Sequence, residues 1–208
     1  MAYENFTGYS ETDPNGDITR TAARCTASTM RRDVNAHVGK SYGASHFGDY
    51  DHDIDFRITA CDSKGEMVVW AVASSDASWA GLGAGQDCHV YDIGSANRLT
   101  LYDKGNADND VYASVALNTT YYLTNTRVKA TPLTQCKIYS EAARTTLLDT
   151  LAITPETDDY EYALCCASMK STWNPAATIS GYSENLDLNE GPAMPVLTHH
   201  YDMMRRAG

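Results

Sequence analysis

Short runs of β-forming residues, each closed by a turn signal, recur along this 208-residue chain, and no segment keeps an amphipathic helical period for long. Ile54, Phe56, Ile58 and Ala60 alternate with Asp53, Asp55, Arg57 and Thr59, which predicts a strand with one dry face. Ser63-Lys64-Gly65 turns the chain into Met67-Val68-Val69-Trp70-Ala71-Val72, whose unbroken apolarity predicts a strand covered on both sides, with Trp70 in the core. Residues 98–102 and 111–117 flank Asp103-Lys104-Gly105-Asn106 as a hairpin. Further runs follow at 121–128, 133–139, 147–153, 160–168 and 179–188. About a dozen strands without intervening helices exclude a parallel α/β sheet and predict an all-β sandwich.

Charge and composition remove several function classes. Asp and Glu outnumber Lys and Arg 27 to 16, and a formal charge of -11 repels phosphate backbones, which excludes generic nucleic-acid binding. The longest apolar run, residues 67–73, is too short to cross a bilayer, so no membrane partner is expected. The first residues, Met1-Ala2-Tyr3-Glu4-Asn5-Phe6, carry no charged segment followed by an apolar one, which predicts a protein outside the Sec route. Six cysteines are scattered, with one adjacent pair and no zinc-type spacing, and read as buried reduced thiols.

Three segments carry a resemblance. Thr119-Thr120-Tyr121-Tyr122-Leu123-Thr124, then Cys136-Lys137-Ile138-Tyr139-Ser140-Glu141, then Leu147-Leu148-Asp149-Thr150-Leu151 resemble the laminin-G/concanavalin A-like jelly roll. The segment Ile179-Ser180-Gly181-Tyr182-Ser183-Glu184-Asn185-Leu186-Asp187-Leu188 is similar to the last strand of that superfamily. The resemblance implies a jelly-roll sandwich of two antiparallel sheets over residues 17–190. An amino-terminal segment, 1–16, and an extended docking arm, 191–208, are expected to lie outside it. Members of the superfamily bind or hydrolyse glycans, and many carry a calcium ion at the rim.

Hydrolysis with retention needs two carboxyls about 5 Å apart. Among Glu184, Asp187 and Glu190, an offset of three on a regular strand sends Glu184 and Asp187 to opposite faces, and Glu184 and Glu190 stand roughly 20 Å apart. Glu156 and Asp158 follow Pro155 in a turn. Gly39-Lys40-Ser41-Tyr42-Gly43 spells a nucleophile elbow, but no helical period follows it. No catalytic residue is therefore assigned and the chain is not expected to be an enzyme. Asp49, Asp51, Asp53 and Asp55 share one strand face over about 20 Å, too far to clasp one cation. Turn acids at Asp13-Pro14-Asn15-Gly16-Asp17 and Asp108-Asn109-Asp110 leave calcium as the one cofactor the sequence admits, with no metal ligand assigned.

Trp79 and Trp173 sit in loop-like sequence, where an exposed indole can stack on a sugar ring, and are the expected ligand-binding residues. Tyr201, Met203 and Met204 in the arm are the expected interface residues. The function expected is that of a structural and interaction protein, an accessory or decoration subunit of a phage-like virion with surface-glycan adhesion. The alternative is a carbohydrate-binding lectin module, with a glycoside hydrolase a distant third.

Overall fold

A computed structural model describes residues 3–62, 64–82, 88–94, 97–105, 107–154, 158–169 and 174–189; for 88–94 it describes the backbone alone. The strands are β1 Ser10–Thr12, β2 Ile18–Arg20, β3 Arg24–Arg31, β4 His37–Ser41, β5 Tyr50–Cys61, β6 Met67–Ala73, β7 Cys88–Gly94 and β8 Arg98–Asp103. They continue as β9 Asp108–Tyr112, β10 Thr120–Val128, β11 Leu133–Tyr139, β12 Leu147–Ile153, β13 Tyr162–Cys165, β14 Ala167–Ser168 and β15 Thr178–Asp187. One helical turn, α1 Trp79–Leu82, interrupts them. An eight-stranded sheet runs β1-β4-β13-β6-β7-β8-β9, with β14 also on β6. A seven-stranded sheet runs β12-β11-β10-β5-β15-β3-β2, and every strand pair in both sheets is antiparallel.

The two sheets face each other over one core, and the period-two alternation decides which residues enter it. On β5, Ile54, Phe56 and Ile58 point inward while Asp51, Asp53 and Arg57 stay outside; on β10, Tyr121 and Leu123 alternate with Tyr122 and Thr124. All seven residues of β6 are buried, as its unbroken apolarity predicts. Val69, Trp70 and Val72 face the core, while Val68, Ala71 and Ala73 pack outward with Leu82, Leu164, Ala167 and Met169. A register shift between Val68 and Trp70 lets two successive side chains enter the core.

The amino-terminal segment departs from expectation. Rather than lying outside, Phe6 and Tyr9 are buried in the core and β1 is an edge strand on β4. Arg20 ties the segment down, pairing with Glu11 at 2.6 Å and donating to the Phe6 and Tyr9 carbonyls. At the opposite side of the sandwich, β9 meets β12. There the Ala152 and Thr154 amides donate to the carboxylates of Asp110 and Asp108 at 3.0 and 2.9 Å. The arm 191–208, and with it Tyr201, Met203 and Met204, lies outside the described residues, as do Trp173, Glu156 and Glu190.

Candidate functional site

The outward face of the seven-stranded sheet is the most chemically furnished surface described. Registers across β3, β15, β5, β10 and β11 bring Arg24, Glu184, Asp55, Tyr122 and Tyr139 into one transverse row. Directly opposed side chains on such a row stand about 4.5–5.5 Å apart at Cβ. Arg24 Nε donates to Glu184 at 2.8 Å and its guanidinium lies 3.9 Å from the Tyr182 ring centroid. The next row along β5 pairs Asp187 with Asp53, and Asp53 with Thr124, whose hydroxyl donates to Asp53 at 2.6 Å.

This arrangement overturns one expectation. Counting by two sends Glu184 and Asp187 to opposite faces, yet the structure puts both on the outward one. The register shifts between them and Asn185 takes a left-handed φ of 55°, so one extra residue is absorbed there. Asn185 then reaches Asp55 Oδ2 at 3.0 Å. Arg144 comes in from the loop between β11 and β12, donating to Asp55 Oδ1 at 2.9 Å and lying 3.4 Å from Asp53. That loop is braced by Glu141, whose carboxylate accepts from the Thr145 and Thr146 hydroxyls. Burial raises the Asp55 carboxyl above the usual range, opposed by Asn185 and Arg144 and reinforced by Glu184 and Asp53.

Beyond Asp53 the face runs into a cleft of about 450 Å³ at the sheet rim. Its lining joins loop 46–49, the start of β5, the end of β10 and the residues after β15: His46, Asp49, Tyr50, Asp51, His52 and Asn189 among them. Tyr50 and His52 stack at 4.7 Å between centroids. His52 is almost wholly buried and its Nδ1 has no hydrogen-bond partner; burial, helped by His46, pushes its pKa down to about 3. Asp51 is raised by burial and by the neighbouring Asp53 and Asp187 carboxylates, against Lys137. Arg127 props the cleft from inside, donating to the carbonyls of Gly48 and Asp158 at 3.2 and 2.5 Å beneath the Tyr160 ring. The Lys129 amide holds Asp49 at 2.7 Å.

Trp79 lies elsewhere. It sits on α1 against the outward face of the eight-stranded sheet, half-buried, with the Lys104 ammonium 3.6 Å from one ring centroid and Tyr102 beside it at 5.7 Å. Ser41 of the elbow-like string is the last residue of β4 and donates to Glu161 at 2.7 Å, in no strand-to-helix turn. Asp13 caps the Asp17 and Ile18 amides, so its carboxylate serves the turn. Among the described residues, the one trio of His, Cys, Asp or Glu ligand atoms that converges within 4.8 Å is Cys25, Cys165 and Cys166. Thiols are not calcium donors, so this trio is not a calcium site.

No protein-family pattern and no curated protein matches the sequence. Solved structures do. The calcium-bound exoplasmic/lumenal domain of VIP36 superposes with a TM-score of 0.55 at 7% identity, over 92% of this chain and 91% of that one. The same domain bound to calcium and Man2 gives 0.52 at 8%, over 93% and 89%. A legume lectin-like domain from Entamoeba histolytica gives 0.54 at 10%, over 86% and 88%. A sialidase gives 0.57 at 10%, but only 18% of that chain is covered. At these identities the likeness carries the fold, and this chain has the concanavalin A-like jelly-roll fold of those lectin domains.

Proposed function

We propose that this chain is a non-catalytic carbohydrate-binding domain whose site is the rim cleft with the adjoining polar sheet face. The observation that carries the reading is the cleft itself. The exposed His46 ring and Tyr50, backed by the buried His52, give it an aromatic lining, and Asp51 carries an acceptor shared with the open face. Sugars need both features: rings against their C–H faces and fixed acceptors for their hydroxyls. The lectin-like fold, with a relative captured holding Man2, supports the same assignment. The opposed carboxylates Glu184 and Asp55 favour binding over hydrolysis, because Arg24 holds the first while Arg144 and Asn185 hold the second.

The setting proposed for this domain is an accessory subunit of a phage-like virion, docked through residues 191–208 and presenting the cleft to surface glycans. What supports it is the acidic net charge of -11, which suits a displayed, soluble face rather than a nucleic-acid contact. Deleting 191–208 should leave the sandwich folded and abolish incorporation into particles; normal incorporation would overturn the setting.

A glycan array tests the activity. Wild type should bind a restricted set of glycans, Asp51→Ala should lose them, and Trp79→Ala should keep them. Loss with Trp79→Ala and retention with Asp51→Ala would move the site to the other sheet. No binding to any glycan by the folded protein would overturn the carbohydrate reading.

A further inference from the structure

Cys25, Cys165 and Cys166 are fully buried, and their three sulfurs lie within 4.8 Å of one another. They come from both sheets: Cys25 from β3, Cys165 from the end of β13, and Cys166 from the residue linking β13 to β14. Adjacent residues of a regular strand point to opposite faces, so a Cys-Cys pair should send one thiol each way. Here Cys166 takes a φ of 47°, left-handed and costly for a residue with a Cβ. That twist turns the second thiol back into the same interior, where its S–H donates to the Cys25 carbonyl at 3.2 Å. A strained backbone that gathers three thiols in one apolar spot points to a use for the trio beyond packing.

We propose that Cys25, Cys165 and Cys166 form a three-sulfur site for a trivalent thiophilic ion of the arsenous or antimonous kind. The choice among soft ions is decided by charge. Three thiolates on a monovalent ion leave two negative charges, and on a divalent ion one, in a place where an unpaired charge is expensive. Zinc further asks for a fourth ligand. A trivalent ion on three thiolates is neutral and takes three bonds in a pyramid, which three converging sulfurs supply.

The bonding step balances without an oxidant. Arsenous acid loses three As–O bonds and gains three As–S bonds, and each thiol proton leaves with a hydroxide as water.

The test is to titrate the whole reduced chain, kept reduced with a phosphine, with arsenous acid. Intact mass and thiol counting should show one arsenic per chain and three thiols consumed. Cys25→Ala and Cys166→Ala should each lose stoichiometric binding, while Cys61→Ser and Cys136→Ser keep it. If a core variant fails to fold, arsenic absorption spectroscopy of the wild type decides: three sulfur neighbours and no oxygen are expected. A wild type that takes up no arsenic, or holds it with one or two sulfurs, would overturn the site, as would binding that survives Cys25→Ala in a folded variant.

Discussion

Glu184 and Asp55 face each other directly across β15 and β5, yet each carboxylate is held by an arginine from elsewhere in the fold. Each is neutralised from a different direction, Glu184 by Arg24 in the neighbouring strand and Asp55 by Arg144 from a loop. The pair therefore behaves as part of a five-residue polar row, and its energetics depend on the two arginines.

Removing Arg144 tests that dependence. Burial raises the Asp55 pKa above its unfolded value near 3.9, so its contribution is most favourable below that value and is lost as pH rises through the folded pKa. Arg144→Ala takes away one of the groups that oppose this rise. The expected cost is about 1–2 kcal/mol at pH 7, shrinking toward pH 4 as Asp55 takes up its proton. Urea melts of wild type and variant at both pH values measure it; a cost independent of pH would show that Arg144 acts through packing alone.

His52 sets a second pH dependence of opposite sense. Its folded pKa is pushed down to about 3, first by burial and then by His46. The unfolded imidazole titrates near 6.5, so the stability His52 confers is present above that pH and is lost as pH falls toward 3. The slope is up to about 1.4 kcal/mol per pH unit. Nitrogen NMR shifts should show a neutral ring at pH 5, and His52→Gln should flatten the acid limb of the stability profile. A ring that protonates near pH 6.5 in the native state would contradict the burial argument.

Two glycines separate backbone freedom from close approach. A Cβ on Gly181 would stand 2.6 Å from the Arg57 carbonyl oxygen and 2.9 Å from Ile58 Cδ1 on the paired strand. Gly181→Ala should cost about 1–3 kcal/mol through overpacking. Gly8 has nothing within 4 Å, so Gly8→Ala should be neutral or stabilise by about 0.5 kcal/mol. Thermal melts of the two variants, side by side, give the comparison.

Trp79→Ala should behave as a packing mutation. The indole lies between the Lys104 ammonium and the outer apolar cluster of the eight-stranded sheet, so its loss should cost about 1–3 kcal/mol. Restoring a flat apolar ring with Trp79→Phe should recover more than half of that. An unchanged melting temperature in Trp79→Ala would mean the ring carries no structural weight.

The parts of this fold that repeat every two residues were legible from the chain alone. Ile54, Phe56 and Ile58 of β5 fell on the buried face their alternation predicts, although Ala60, past a register shift against β15, is exposed, and the unbroken apolarity of β6 matched its two covered faces. What escaped were single-residue departures from that period. The extra residue at Asn185 moves Asp187 to the same face as Glu184, and nothing in local composition marks it. The left-handed Cys166 reverses the direction of one thiol in the same way. Phe6 and Tyr9 are isolated apolar residues beside a three-residue strand, too short a signal to read as core. The cleft joins segments more than 100 residues apart, so its composition is visible only once the strands are in register.

The carboxylates of Asp108 and Asp110 have a consequence for crowding. By occupying the Ala152 and Thr154 amides, they leave an incoming strand two acceptors to displace at that flank of the sandwich. The opposite flank is fastened by Arg20. A β-sandwich guarded in this way resists edge-to-edge fusion of its sheets with those of another molecule.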